Sequence, residues 1–394
     1  MTPPQFRTFS YYKNVAPFAF PGLESFVAAT APRGVWPTAG GGAGRTGRSA
    51  EPLVHQSYQL AWHAPLGGLE QPAGVLVGLG RIIVIGDRSL GLWDAADGRP
   101  VGAVPRGVGA SLIDVDGGRL LVGTAGGIDV YDPDGGREST MTLSAPEQAV
   151  TREILRGPGA LVLVSSHAPA HGRESVVVES VRVRDYAATK NDTLYGIEPL
   201  GGIRCEDEAS IVAAAGAAGP ALGLPGRLDW RDWQLHPQMV TDLPGRPIAI
   251  SVDDREHAHV LLDEAGVTHL QVAPRGQSAL FDLTLPPEAG PFTRPPLVAA
   301  SGQITLASPH TIVAVSPSGA ILWRRSRTSP APATLSANGL LLLGGDTLDA
   351  VMDDGRHITL ARPPTPIVTP PVLANEWIFA ATAEEVFALR PTGS

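Results

Sequence analysis

Gly80-Arg81-Ile82-Ile83-Val84-Ile85-Gly86, followed by Leu90-Gly91-Leu92-Trp93-Asp94-Ala95-Ala96-Asp97-Gly98-Arg99, sets out the unit from which the chain is built. A short apolar run bounded by glycines reads as a buried strand, and the second run reads as its hairpin partner. Asp97-Gly98 then marks a tight turn, because glycine takes positive φ without a Cβ penalty. A third strand follows. The next copy is Gly118-Arg119-Leu120-Leu121-Val122-Gly123, then Ile128-Asp129-Val130-Tyr131-Asp132-Pro133-Asp134-Gly135.

Later copies begin near Ala160, Ser210, His257, Gln303, Leu340 and Glu376. Counted from Arg81, the units recur at intervals of about 36 to 50 residues, a period that belongs to propeller blades. The turn before the outer strand is expected at glycines 98, 135, 226, 276, 319 and 355. The third and fourth units are irregular, and residues 185–208 read as an inserted loop. The last unit, Glu376–Ala381 and Glu385–Leu389, lacks its outer strand. An orphan strand, Ser57-Tyr58-Gln59-Leu60-Ala61-Trp62-His63, resembles Ala320-Ile321-Leu322-Trp323-Arg324-Arg325, the outer strand of the sixth unit. The expected fold is therefore all-β: a single β-propeller of eight blades, with seven left open by the irregular units. Its blades are four-stranded antiparallel sheets, and the N-terminal strand completes the last one. Closure removes two exposed sheet edges. Residues 1–50 read as an arm and leader, and residues 51–394 as the propeller.

Composition narrows the function. The net charge is −9, and the only lysines are Lys13 and Lys190. No basic run offers the footprint of a nucleic-acid binder, so no nucleic-acid partner is expected. Cys205 is the single cysteine, which excludes an intrachain disulfide and a cysteine-based zinc site. The first twenty residues, MTPPQFRTFSYYKNVAPFAF, lack the apolar core of a signal peptide, and no apolar run approaches a membrane span. These features predict a soluble, cytoplasmic chain with no membrane insertion.

Seven of the fifteen Phe and Tyr residues fall in the first 26 positions: Phe6, Phe9, Tyr11, Tyr12, Phe18, Phe20 and Phe26. Prolines at 3, 4, 17, 21, 32 and 37 prevent a long helix there. Aromatic side chains bury large area at small entropic cost, so the seven are candidate docking residues for another protein subunit. Packing of the arm on its own propeller is the alternative.

The stretch Trp36-Pro37-Thr38-Ala39-Gly40-Gly41-Gly42-Ala43-Gly44-Arg45-Thr46-Gly47-Arg48-Ser49 resembles the leader of PQQ-like repeat proteins, which often read W-P-x-x-x-G and then R-T-G-x-S. The repeat G-R-I-I-V-I-G, then L-W-D-A-A-D-G-R, resembles theirs, as does Gly319-Ala320-Ile321-Leu322-Trp323-Arg324. The resemblance covers residues 36–394 and is weak between about 140 and 250. It implies either a quinoprotein dehydrogenase, with pyrroloquinoline quinone and a metal ion at the propeller centre, or a non-catalytic propeller that binds other proteins, such as the outer-membrane assembly lipoprotein. The adjacent cysteines of many of the enzymes are impossible here, and there is no lipobox cysteine.

Individual motifs have plain explanations beside chemical ones. Gly42–Ser49 has phosphate-loop spacing with Arg for Lys, but neither a preceding strand nor a following helix is expected. His257-Ala258-His259 places two imidazoles on one strand face. His269, predicted to pair with Val260, points to the other face, so a metal would lack its third ligand. Asp114-Val115-Asp116 and Asp132-Pro133-Asp134 lack the third carboxylate of a calcium loop and read as turns. Ser165-Ser166-His167 and His171 carry no nucleophile elbow. Glu206-Asp207-Glu208 reads as a solvated loop. Trp230 and Trp233, three apart, are expected on opposite strand faces, with one between blades. No catalytic, cofactor-binding or metal-binding residue is assigned. The expected function is a non-catalytic scaffold for protein–protein interaction in a larger assembly. The alternatives are a quinoprotein-like oxidoreductase or a small-ligand sensor that uses the central channel.

Overall fold

A computed structural model describes residues 7–9, 45–78, 80–105, 113–116, 119–142, 149–157, 160–167, 175–187, 193–206, 211–327 and 332–392. The chain forms eight antiparallel blades in a ring, an eight-bladed β-propeller. In chain order the blades occupy 74–105, 113–142, 150–206, 212–242, 246–284, 297–326, 333–361 and 372–391. Each runs from an inner strand through a second and third to an outer strand. Among the described residues there is no α-helix, only a short 3-10 turn at Pro287–Ala289.

The ring closes as the sequence implies. Tyr58–Pro65 is the outer strand of blade 8, antiparallel to Glu385–Pro391, with Tyr58 opposite Pro391 and Pro65 opposite Glu385. The inner strand of blade 1, Gly74–Gly78, packs on the inner and second strands of blade 8, Val372–Ala374 and Trp377–Ala381. Both chain ends thus complete one sheet, and no blade edge is left bare at the junction.

Four sequence expectations change. The apolar runs at Arg81, Arg119, Ala160, His257, Gln303, Leu340 and Glu376 mark the second strand of a blade, not its first. Near Ser210 the run is the inner strand, Val212–Gly216. Of the turn glycines, 98, 135, 276, 319 and 355 precede outer strands, but Gly226 lies between the second and third strands of blade 4. Residues 185–208 are mostly sheet instead of inserted loop. Ser175–Ala187 and Thr193–Glu206 pair along 13 and 14 residues, as far as Ala187 opposite Thr193. Blade 3 also takes a fifth strand, Arg7–Phe9, on the edge of Thr193–Glu206, with Phe9 opposite Gly202. Phe6, Tyr11, Tyr12, Phe18, Phe20 and Phe26 lie outside the described residues.

The core lies between blades, and one device recurs at its junctions. A side chain from the outer strand of one blade covers the glycine in the third-to-outer turn of the next. Trp62 covers Gly98, Phe281 covers Gly319 and Trp323 covers Gly355, with Met239 at Gly276 and Val104 at Gly135. The Trp62 indole N–H donates to Ala95 O at 3.1 Å, and the Trp323 N–H to Asp353 O at 2.7 Å. Gly98 has φ +74°, and any side chain there would collide with the Trp62 ring. Glycine is therefore required at this position by both backbone and packing. The two blade 4 tryptophans both pack between blades. Trp230 is fully buried against blade 5, where the Arg275 guanidinium sits 5.1 Å from its ring centre. Trp233 lies in a turn rather than on the strand; it covers Gly157 of blade 3 and donates to Ala217 O.

Candidate functional site

The leader is part of the ring. Residues 45–53 run along the inner edges of blades 5 to 8, the wall of the central channel. The Arg45 carbonyl accepts from the Ser251 hydroxyl of blade 5, and the Thr46 carbonyl from the Val298 amide of blade 6. At blade 7 the Gly47 carbonyl accepts from the Leu335 amide, while the Ser49 amide donates to Leu335 O. The Ser49 hydroxyl donates to Leu373 O of blade 8. Gly47 has φ +61°, and a Cβ there would overlap Leu297.

Charged side chains extend these contacts. Arg45 reaches Glu153 on the inner strand of blade 3 at 3.0 Å, and Arg48 pairs with Asp254 of blade 5. The Glu51 carboxylate accepts the amides of Asn375 and Glu376 at 2.7 and 2.8 Å, and its own carbonyl accepts the Ala337 amide. Thr46, Arg48, Ser49 and Glu51 are all buried. Burial of Tyr58, with the nearby Glu376 and Glu51 charges, raises its phenol well above the usual range. The spacing of a phosphate loop is present in Gly42–Ser49, yet the Ser49 amide is bonded within the ring and no helix follows in residues 50–57. A phosphate would have to displace those bonds.

Burial raises the Glu153 carboxyl above its ordinary value, and the Arg45 guanidinium pulls it back. Replacing Arg45 with methionine leaves that carboxylate without its main counter-charge. We expect a stability loss of about 2–4 kcal/mol at neutral pH. A carboxyl whose folded pKa lies above its unfolded value destabilises the fold at higher pH and ceases to do so once it is protonated. The deficit of Arg45→Met relative to the parent chain therefore shrinks as pH falls through the carboxylate range, measured by urea unfolding at several pH values.

His257 and His259 share one face of their strand, beside Asp253. His259 lies 3.2 Å from the Asp253 carboxylate and His257 3.7 Å. Desolvation pushes the Asp253 carboxyl up, but the His259 hydrogen bond and charge, with the His257 amide, bring it net below its ordinary value. Desolvation lowers His257. His269 pairs with Leu262 instead of Val260, because Glu264 pairs with Val267 across a two-residue turn. It meets Asp282 at 3.2 Å and Glu264 at 3.6 Å. Among the described residues, no group of three or more His, Cys, Asp or Glu side chains is gathered for a metal.

The other candidates are absorbed by local structure. Asp132 caps its own turn by accepting the Asp134 and Gly136 amides. Asp114 and Asp116 lie on the inner strand of blade 2. Ser165, Ser166 and His167 sit on a strand, and the Ser165 hydroxyl is 3.2 Å from that of Thr151. Glu206 ends a strand. His171, Asp207 and Glu208 lie outside the described residues.

A cavity of about 510 Å³ opens between blades 6 and 7 and the lead-in to blade 8. Pro309, Pro332, Pro366, Ile367 and Val368 give it apolar walls, and Arg294 and Asp346 are its charged lining. Desolvation lowers the Arg294 guanidinium below its ordinary value. No sequence pattern marks this site, since its residues come from five separate connections with no shared motif. The leader's bonds were equally silent, because its partners lie hundreds of residues away.

No protein-family model and no curated protein matches the chain. Among solved structures it is similar to Sqt1 of Saccharomyces cerevisiae, at 11% identity and a TM-score of 0.58, over 84% of this chain and 98% of that one. It is also similar to BBS1N, crystallised in complex with ARL6DN, at 12% identity and a TM-score of 0.51, over 86% and 99%. At such identities the likeness extends to the fold alone. No helix among the described residues is long and apolar enough to cross a membrane.

Proposed function

We propose that this propeller is a non-catalytic scaffold that docks other protein subunits, with its aromatic N-terminal arm as a docking element. The observation that carries the reading is the leader. The inner edges of blades 5 to 8, which would have to face a ligand at the ring centre, are bonded to the chain's own residues 45–53. A quinone and its metal would have to share the centre with that segment. The rim and the loop-built faces of a stiff disc are surfaces that suit protein partners. BBS1N, a neighbour in fold, is a propeller crystallised with a protein bound. We further propose that the repeats are of the PQQ-like kind. In support, the glycine and tryptophan of L-W-D-A-A-D-G-R and G-A-I-L-W-R occupy or adjoin the junction clasps, and R-T-G-R-S supplies the leader's bonds.

Deleting residues 1–34 tests the arm while keeping the leader. The truncated chain should melt as a folded propeller and lose the proteins that co-purify with the full chain from its native host. Unfolding of the truncated chain would make the arm an internal part of the fold. Equilibration with pyrroloquinoline quinone and Ca²⁺ should give neither a cofactor spectrum nor a raised melting temperature.

A further inference from the structure

We infer that the cavity between blades 6, 7 and 8 is a docking site for an extended acidic peptide segment of a protein partner. In this mode an apolar side chain enters between the prolines and a neighbouring carboxylate pairs with Arg294. The proposal rests on the scaffold reading and gives it a place on the ring and a partner chemistry.

Shape comes first. A volume of about 510 Å³ lies within the range of specific ligand pockets. Pro309, Pro332 and Pro366 stand on three different connections, and their rings cannot rearrange. Backbone bonds fix the same connections: the Ser308 amide donates to Thr311 O, the Gly344 amide to Pro332 O, the Ile367 amide to Gly345 O, and the Val368 amide to Ala381 O. The walls are thus preformed, and little ordering entropy is lost when an apolar side chain enters. Val368 is 38% exposed at the mouth, a large apolar side chain without cover.

Charge selects the occupant. Among the described residues Arg294 makes no hydrogen bond or ion pair, and it stands exposed at the edge of the cavity that it lines. The pocket's carboxylate has a counter-charge nearby, since Asp346 and Asp349 both act on the Arg327 guanidinium. Asp349 in turn accepts from the Thr347 and Thr359 hydroxyls. The unanswered charge at the mouth is a cation, in a chain whose net charge is −9. A guanidinium at the edge of an apolar hollow is best answered by a carboxylate that it can grip with two N–H groups. An acidic segment with an apolar residue beside its Asp or Glu satisfies both the walls and Arg294.

The test uses the full chain and a phage library of random dodecapeptides. Selection should enrich sequences in which Asp or Glu adjoins Leu, Ile, Val or Phe. A synthetic, fluorescein-labelled copy of the leading sequence is then titrated by anisotropy. Binding should weaken about 10- to 100-fold with Arg294→Gln and at least as much with Val368→Glu, which places a negative charge at the mouth. Replacing the peptide's acid by its amide should weaken binding to the parent chain and change little with Arg294→Gln. Unchanged melting temperatures of the two variants separate lost docking from lost folding. Failure to select any binder, enrichment of basic or neutral sequences, or binding indifferent to both variants would overturn the site. The scaffold reading itself is decided separately by the 1–34 deletion.

Discussion

Trp62→Ala lowers the stability of the full chain by about 3–5 kcal/mol, seen as an earlier midpoint of urea unfolding. The indole is 9% exposed and joins three elements. It sits on the closing strand, packs beside Phe379 with ring centres 6.4 Å apart, and covers the Gly98 turn of blade 1. Truncation leaves a void at the one junction where both chain ends meet, and the Ala95 carbonyl loses its donor. Trp62→Phe keeps most of the ring and costs about 1 kcal/mol for the lost hydrogen bond. Gly98→Val approaches the same contact from the other side. It combines a left-handed backbone with a collision against the indole, and should also destabilise. Midpoints unchanged in Trp62→Ala and Gly98→Val would remove the closure from the account of this fold.

Glu51→Ala costs about 2–3 kcal/mol, because two amides of one turn lose their charged acceptor at once. Asn375 and Glu376, whose amides it binds, form the inner-to-second turn of blade 8 and have φ +52° and +64°. That conformation is unfavourable for non-glycine residues and is held by the carboxylate. Glu51→Gln keeps one acceptor oxygen and should fall between the parent and alanine. Hydrogen exchange at the Asn375 and Glu376 amides reports the effect locally, with faster exchange in Glu51→Ala. Protection equal to the parent chain would mean that the leader lies on the ring without bracing it.

The parts of the fold legible in the sequence are those with local signals. Second and third strands such as Arg81–Ile85 and Ser89–Asp94 carry dense apolar runs ended by Asp-Gly turns. The inner strands went unread because several are only two or three residues long: Leu297–Val298, Ala333–Leu335 and Val372–Ala374. Too short for periodicity, they are defined by the partner strand alone. The hairpin of blade 3 reads as a loop because Arg182–Tyr195 is polar and contains Asn191-Asp192, while its pairing leaves no local signal. The leader presents glycine, arginine and serine, a composition that looks like linker. Its meaning comes from Leu335, Leu373 and Asn375, which no local pattern links to residues 47–51. The cavity is hidden for the same reason. The clasp is half visible: its tryptophans and glycines stand out singly, but each glycine answers a side chain from the preceding blade.

The hydrogen bonds between Ser57 and Thr392 join positions 335 residues apart. During synthesis at about 5–20 residues per second, Tyr58–Pro65 leaves the ribosome roughly 20 to 70 seconds before Glu385–Pro391 can meet it. For that interval the nascent chain is an unfinished arc with a bare edge at each end. A premature stop that removes only the final strand therefore spares nearly every blade, yet strands the whole product at this arc, exposed to proteases and to pairing with its neighbours on the polysome.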